Sequence, residues 1–302
     1  MSNKRQLDRA GLEQLLRLAG LDPAQVRSYQ ELTEGTFNTV YRIGLPDGDL
    51  MLKYAPDPAA PVLSHEHDLI RTETEFYTAA RGKAPVPEVV YADTDFLLMT
   101  AIPGRTWHSQ DIEGDERARL RKDLGRIVAD LHEVTGTSFG YPQRGLTSTW
   151  GAAFLAMMDD LLADAATYDV QLPRPAEAIR QLVLDRLPLL DAVRTPTLVH
   201  FDLWDGNILV ENGRITGLID GERAFWGDPV AEFVSLTLFE STVAPELLAG
   251  YGELDQTLLP LYRVYLYLIM TIEVVPRGYE GPDHEQLGRL VNRHLLKELA
   301  KL

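Results

Sequence analysis

His200-Phe201-Asp202-Leu203-Trp204-Asp205-Gly206-Asn207 is followed by an apolar strand, Ile208-Leu209-Val210, and a turn, Glu211-Asn212-Gly213. A second strand then ends at Ile219-Asp220. This stretch, an H-x-D-x-x-x-x-N pattern leading into a short hairpin, decides the fold. An Asn-Gly pair lets two short strands pair tightly, which carries Asp220 back beside Asn207. Three oxygen-bearing side chains then converge. Asp202 is a carboxylate able to orient a hydroxyl and take its proton. Asn207 and Asp220 are hard oxygen donors of the kind magnesium prefers.

Further parts lie upstream. Thr197-Leu198-Val199 is an apolar strand leading into the motif. Near the N-terminus, Tyr29 to Thr33 and Thr39 to Ile43 read as strands joined by Glu34-Gly35-Thr36-Phe37-Asn38. A loop of small polar residues offers backbone N–H groups to phosphate oxygens, which makes Gly35 and Thr36 candidates. With a single glycine, the same loop also reads as an ordinary hairpin turn. Pro46-Asp47-Gly48-Asp49 is a turn, and Leu50 to Tyr54 a strand. Lys53 ends that apolar strand, where an ammonium needs anionic partners unless it reaches water. A helix over 65–81 supplies one in Glu73, near its middle, with Glu75 as the alternative. Phe96 to Ala101 is a buried strand running into the Pro103-Gly104 break, where a hinge between two lobes falls. A purine there would hydrogen-bond to backbone at Met99, Thr100, Ala101 and Ile102. Lysine, helix glutamate, hinge, H-x-D-x-x-x-x-N and hairpin aspartate follow the order of parts of a phosphoryl-transfer site.

Lys53, the Leu-Leu-Met-Thr-Ala-Ile-Pro-Gly hinge, Leu131-His132, H-F-D-L-W-D-G-N, I-D-G-E and Gly227-Asp228-Pro229 with Glu232 together resemble the aminoglycoside phosphotransferase family. Its relatives include fructosamine, choline and homoserine kinases. The Leu-Trp after Asp202 looks particularly like the fructosamine-kinase branch. The resemblance implies an α+β, two-lobed, protein-kinase-like fold. The N-lobe, residues 1–100, would hold an antiparallel sheet with a helix. The C-lobe, 101–302, would be largely helical.

It also implies transfer of the ATP γ-phosphate to a small-molecule hydroxyl with Mg2+ as cofactor. Asp202 would be the catalytic carboxylate, Asn207 and Asp220 the metal ligands, and Lys53 the phosphate-binding lysine. His200 would brace the loop, and Glu222 would steady magnesium through water. Asp228 would hold the loop or cap the helix at Pro229. Trp204 would stack on a sugar ring or pack under the loop. The first expected acceptor is an aminoglycoside-like or other antibiotic, which implies a resistance role. The alternative is a sugar or fructosamine-type metabolite, and a non-catalytic nucleotide-binding pseudokinase is the second. A hinge that reads the base through backbone leaves GTP open as a donor. Two features depart from the pattern of protein kinases: the phosphate loop is poor in glycine, and Gly221-Glu222 replaces Phe-Gly after the metal aspartate.

The 302 residues suffice for one two-lobed unit with a sizeable core. With no cysteine, disulfide frameworks and thiolate metal sites are excluded. The N-terminal Met1-Ser2-Asn3-Lys4-Arg5 lacks an apolar leader, so a cytoplasmic location is expected. The apolar run 265–275 is too short to span a bilayer. A formal charge of −16 disfavours nucleic acid as partner and would attract a cationic substrate, with Asp159, Asp160, Asp164, Glu240, Glu253 and Asp255 as candidate amine-binding acids. The same acids also read as a solvated surface. Trp150, Phe154, Leu155, Met158, Leu161 and Leu162 recur at helical spacing, so a helix pair precedes the motif, broken at Pro173 and Pro175.

Overall fold

The computed structural model describes residues 4–32 and 38–302, so Gly35 and Thr36 lie outside the described residues. Its N-terminal part runs α1 (Arg9–Leu18), β1 (Ser28–Leu32), β2 (Thr39–Gly44), β3 (Leu50–Tyr54), α2 (Leu69–Ala80), β4 (Val89–Ala92) and β5 (Phe96–Thr100). The strands form one antiparallel sheet in the order β1-β2-β3-β5-β4. One face, with Tyr41, Ile43, Leu52, Phe96 and Leu98, packs against Leu12 and Leu16 of α1. The other, with Leu97 and Met99, packs against Ile70, Phe76 and Tyr77 of α2. Alternation along β3 and β5 thus divides the apolar residues between two helices.

The chain then forms β6 (Arg105–Thr106), α3 (Gly114–Leu131), α4 (Trp150–Thr167), α5 (Ala176–Leu184), α6 (Leu187–Leu190) and β7 (Thr197–Val199). The motif hairpin is β8 (Ile208–Glu211) and β9 (Arg214–Leu218), followed by β10 (Phe225–Gly227). Helices α7 (Phe233–Leu236), α8 (Pro245–Tyr251), α9 (Leu259–Ile272) and α10 (Pro282–Leu299) complete the chain. A large aromatic core centred on Trp150, Phe154, Phe201, Phe225, Tyr262 and Tyr265 joins α4, α9 and the motif loop.

Several boundaries differ from the sequence expectation. The helix expected over 65–81 begins only at Leu69, because Asp68 adopts a left-handed conformation (φ 54°) and Ser64 and Val62 before it bond to Asp164 and Tyr168 of the helical part. The second helix of the expected pair is itself divided, α5 and α6 being separated at Asp185–Arg186, ahead of Pro188. The helix expected at Pro229 is a 3-10 turn, Pro229–Glu232, followed by the single turn α7. Helix α8 went unrecognised. It crosses α3 at backbone contact, where a Cβ on Gly250 would meet Lys122 O at 1.9 Å and one on Gly125 would meet Leu247 O at 2.1 Å. Two glycines, not an apolar stripe, make that crossing.

Candidate active site

The Asn-Gly turn forms as the sequence dictates. Asn212 and Gly213 both have positive φ (51° and 68°), and the Ile219 amide donates to Asn207 O at 3.0 Å. Asn207 is thereby fixed beside Asp220. Its amide nitrogen donates to the Asp202 carbonyl (2.8 Å) and carboxylate (3.2 Å). Asn207 therefore has its carbonyl oxygen left to serve as a ligand atom.

The loop is held rigidly from behind. The buried Glu232 carboxylate accepts from the backbone amides of His200 (2.7 Å) and Phe201 (2.9 Å). Phe201 itself has φ of 65°, a strained conformation that those bonds and its aromatic neighbours enforce. His200 accepts from the Asp202 amide through Nδ1 (3.2 Å), which places the ring proton on Nε2, 2.9 Å from Ile219 O. The imidazole thus bridges the loop to the hairpin's far end. Burial holds it neutral by lowering its pKa. Asp228 caps the turn that follows, accepting from Val230 N (3.0 Å) and Tyr262 Oη (2.7 Å). Glu232 makes the direct ties to the loop's backbone.

Lys53 is buried, and its Nζ donates to Glu73 (2.6 Å), Asp220 (2.5 Å) and Glu222 (2.6 Å). Glu75 instead faces solvent and pairs with Arg71 at 2.8 Å. Tyr77, unremarked in the sequence, donates to Glu73 (2.6 Å) and accepts from the Asp220 amide (2.9 Å), so α2 and the aspartate loop share one phenol. Asn38, just past the undescribed loop, donates to Glu222 at 2.7 Å. Gly221 is glycine because Phe76 of α2 lies against it: a Cβ there would sit 2.3 Å from the ring.

Three carboxylates face one ammonium. Burial and the neighbouring carboxylates push Glu73 up to about 7, despite Lys53. Burial likewise raises Glu222, while Lys53 outweighs burial at Asp220 and lowers it. Burial pulls Lys53 down, but the three carboxylates outweigh it and hold it well above the usual lysine value. The cluster carries excess negative charge in a buried place, and Glu73, Asp220 and Glu222 each offer an oxygen within 4.8 Å of the others. These oxygens, with Asn207, fit a hard divalent cation, which would correct the imbalance. Burial also raises Asp202 to about 7, against the opposing pull of Arg223.

At the hinge, Met99 is buried in β5, and the amides of Thr100 and Ala101 are spent on Glu88 O (2.9 Å) and Asp49 O (3.0 Å). Among the described residues the Ile102 amide has no such backbone bond. Trp204 folds over Gly206, whose Cβ would lie 2.1 Å from the indole, and rests against His108 with ring centres 5.2 Å apart. It stays 36% exposed, so it packs on the loop and still presents a face to solvent. The acids suggested for an amine cleft are partly committed elsewhere. Asp159 pairs with Arg180 and Asp160 with Arg144, both at 2.8 Å, and Asp164 accepts from Ser64. Asp205, between Trp204 and Gly206, is anchored to Arg121 at 2.7 Å.

The fold and site define a protein-kinase-like class, with an antiparallel N-terminal sheet bearing the lysine and a helical C-terminal part bearing the motif loop. Residues 28–267 match the profile of the phosphotransferase enzyme family, and the chain belongs to that family. It is similar to a Klebsiella aerogenes protein named "Probable ketoamine kinase", 23% identical over 85% of this chain and 91% of that one. It is also similar to an Escherichia coli aminoglycoside 3'-phosphotransferase, 27% identical over 72% and 80% of the two chains. A Thermobifida fusca crystal structure assigned as a fructosamine-3-kinase superposes with a TM-score of 0.70 at 22% identity, over 96% of this chain and all of that one. A thermostable mutant of aminoglycoside phosphotransferase APH(4)-Ia, in complex with AMP-PNP and hygromycin B, gives a TM-score of 0.66 at 19% identity, over 95% and 97%. These likenesses show the fold. Among the described residues no helix is long and apolar enough to cross a membrane.

Proposed function

We propose that the protein is an ATP- and magnesium-dependent kinase acting on a hydroxyl of a small molecule. The observation that carries this reading is the buried cluster in which Lys53 joins Glu73 of α2 to Asp220 of the motif hairpin. Nucleotide would lie between a nucleotide-side part, residues 1–100, and an acceptor-side part, 101–302, its base on the backbone of Thr100 to Ile102. Lys53 would grip the α- and β-phosphates. Asp220 and Asn207 would hold magnesium, with Glu222 close by; the bound ion would neutralise charge on the phosphates.

Asp202 orients the acceptor hydroxyl in line with the γ-phosphorus. The acceptor O–P bond forms as the bond to the β-phosphate oxygen breaks, the hydroxyl proton passes to Asp202, and ADP leaves. A carboxylate held near pH 7 by burial suits that late proton transfer.

For the acceptor, the family resemblance favours an aminoglycoside-like or other hydroxylated antibiotic. A sugar or fructosamine-type metabolite is the second reading. It is favoured by the H-F-D-L-W sequence, by the half-exposed Trp204 and by the pairing of Asp159 and Asp160 with arginines, which leaves fewer free acids for a polycation. The test is ADP release with ATP and magnesium across a panel of aminoglycosides, other antibiotics, sugars and fructosamines. A hit that Asp202→Asn abolishes supports the reading. ADP release indifferent to Asp202 contradicts it, and ATP binding without any Asp202-dependent turnover indicates a pseudokinase.

A further inference from the structure

A second buried ionic array adjoins the Lys53 cluster, beginning at Arg223, the residue after Glu222. Arg223 donates to Glu273 at 2.7 Å. Arg277 reaches the same carboxylate at 3.4 Å and also binds Glu66. These four side chains are at most 13% exposed, and their charges balance. They come from three distant places. Glu66 lies in the leader of α2, Arg223 lies three residues beyond Asp220, and Glu273 and Arg277 lie at the end of α9. The leader is fastened to the helical part by further contacts. Ser64 donates to Asp164 through Oγ (2.6 Å) and its amide (2.8 Å), Tyr168 donates to Val62 O (2.6 Å), and the His65 ring stacks on Tyr141. At the other end, Arg223 lies four residues beyond Ile219, whose carbonyl accepts from the His200 ring of the Asp202 loop at 2.9 Å.

We infer that the chain Glu66–Arg277–Glu273–Arg223 is a positioning device, with Arg277 at its centre, that holds the leader of α2 and the Asp202 loop in one rigid frame. The inference rests on the kinase reading of the site. A buried, charge-balanced chain is a poor source of stability compared with apolar packing, because desolvating four ions offsets most of their attraction. What it does supply is fixed geometry, since each guanidinium tolerates few arrangements of its carboxylates. The leader runs directly into the helix bearing Glu73, the Lys53 partner. The chain therefore joins the nucleotide side to the acceptor side by a path separate from the hinge at Thr100–Gly104. Arg277 acts on the frame through Glu66 and Glu273, and its charge also reaches Glu222 of the Lys53 cluster.

The test compares the full-length wild type with Arg277→Met, Arg277→Lys and, as a control, Arg180→Met in the surface pair with Asp159. Basal ADP release from magnesium-ATP, with water as acceptor, is measured per mole of nucleotide bound, alongside nucleotide affinity and hydrogen exchange. For Arg277→Met, release per bound nucleotide should fall about tenfold with affinity nearly unchanged. Arg277→Lys should recover part of it, and Arg180→Met should match wild type. Amides of 62–66 and 200–203 should lose protection together. A lowered melting temperature with unchanged release per bound nucleotide would reduce the chain to a structural role and overturn the inference. If wild type shows no Asp202-dependent release with water or with any acceptor of the panel, the kinase reading fails by itself. Hydrogen exchange then decides the frame: loss confined to 62–66 overturns it, and joint loss sustains it.

Discussion

The Lys53 cluster, buried except at Asp220, and the largely buried Arg277 chain are both ionic and both long-range, yet their charge balance differs. Around Lys53, three carboxylates share one ammonium; around Arg277, two carboxylates meet two guanidiniums. A buried surplus of negative charge is costly unless a ligand completes it. The four charges of the chain balance one another, and Arg223 faces Asp202 besides. The difference separates a place built for a cation and phosphates from a place built to hold the framework around it.

The comparison predicts effects of different kinds. The largest lies at the unbalanced site's acceptor side. Asp202→Asn should lower turnover about 10³-fold while nucleotide affinity, measured by calorimetry, changes little. Equal loss of both would remove Asp202 from its assigned place.

On the framework side, His65 is buried against Tyr141, and burial lowers its pKa from 6.5 to about 4. The folded protein keeps this imidazole neutral, whereas the unfolded chain takes up a proton as pH falls through 6.5. The His65 contribution is therefore full above pH 6.5 and is lost as pH falls toward 4. Relative to His65→Phe, the wild type should lose about 3 kcal/mol of unfolding free energy across that window. Parallel denaturation curves of the two proteins at each pH check this, and a constant difference would place His65 in contact with water.

The smallest effect concerns the anchor of the motif loop. Glu232 accepts two backbone amides, and Glu232→Gln can satisfy only one of them. Stability should drop by about 2 kcal/mol. Turnover should fall with it, because the strained Phe201 holds the loop's shape only while both bonds persist. Urea unfolding and ADP release on one preparation read both quantities.

How much of this could be read from the sequence follows from chain distance. Asp202, Asn207 and Asp220 lie within one loop and hairpin, and the Asn-Gly turn that joins them is a local signal. The placing of Lys53 on an apolar strand was legible for the same reason. Glu73 was preferred over Glu75 from its place in the helix, and the structure puts it at Lys53. Tyr77, Asn38 and the ion chain were not legible. Glu66 and Arg277 are 211 residues apart, and neither departs from the ordinary pattern of a charged residue near a helix end. The crossing of α3 and α8 was missed because glycines that permit close approach leave no apolar period. The acids proposed for an amine cleft looked free in sequence, and the arginine partners of Asp159 and Asp160 became visible only in the fold.

The central claim is that the surplus charge at Lys53 is completed by a nucleotide-bound divalent cation and that the balanced chain needs none. Manganese binding, followed by electron paramagnetic resonance with and without ATP, tests it most directly. The account predicts ATP-dependent manganese binding in the wild type and in Arg277→Met, and its loss in Asp220→Asn. Manganese binding that survives Asp220→Asn, or that disappears with Arg277, would contradict it.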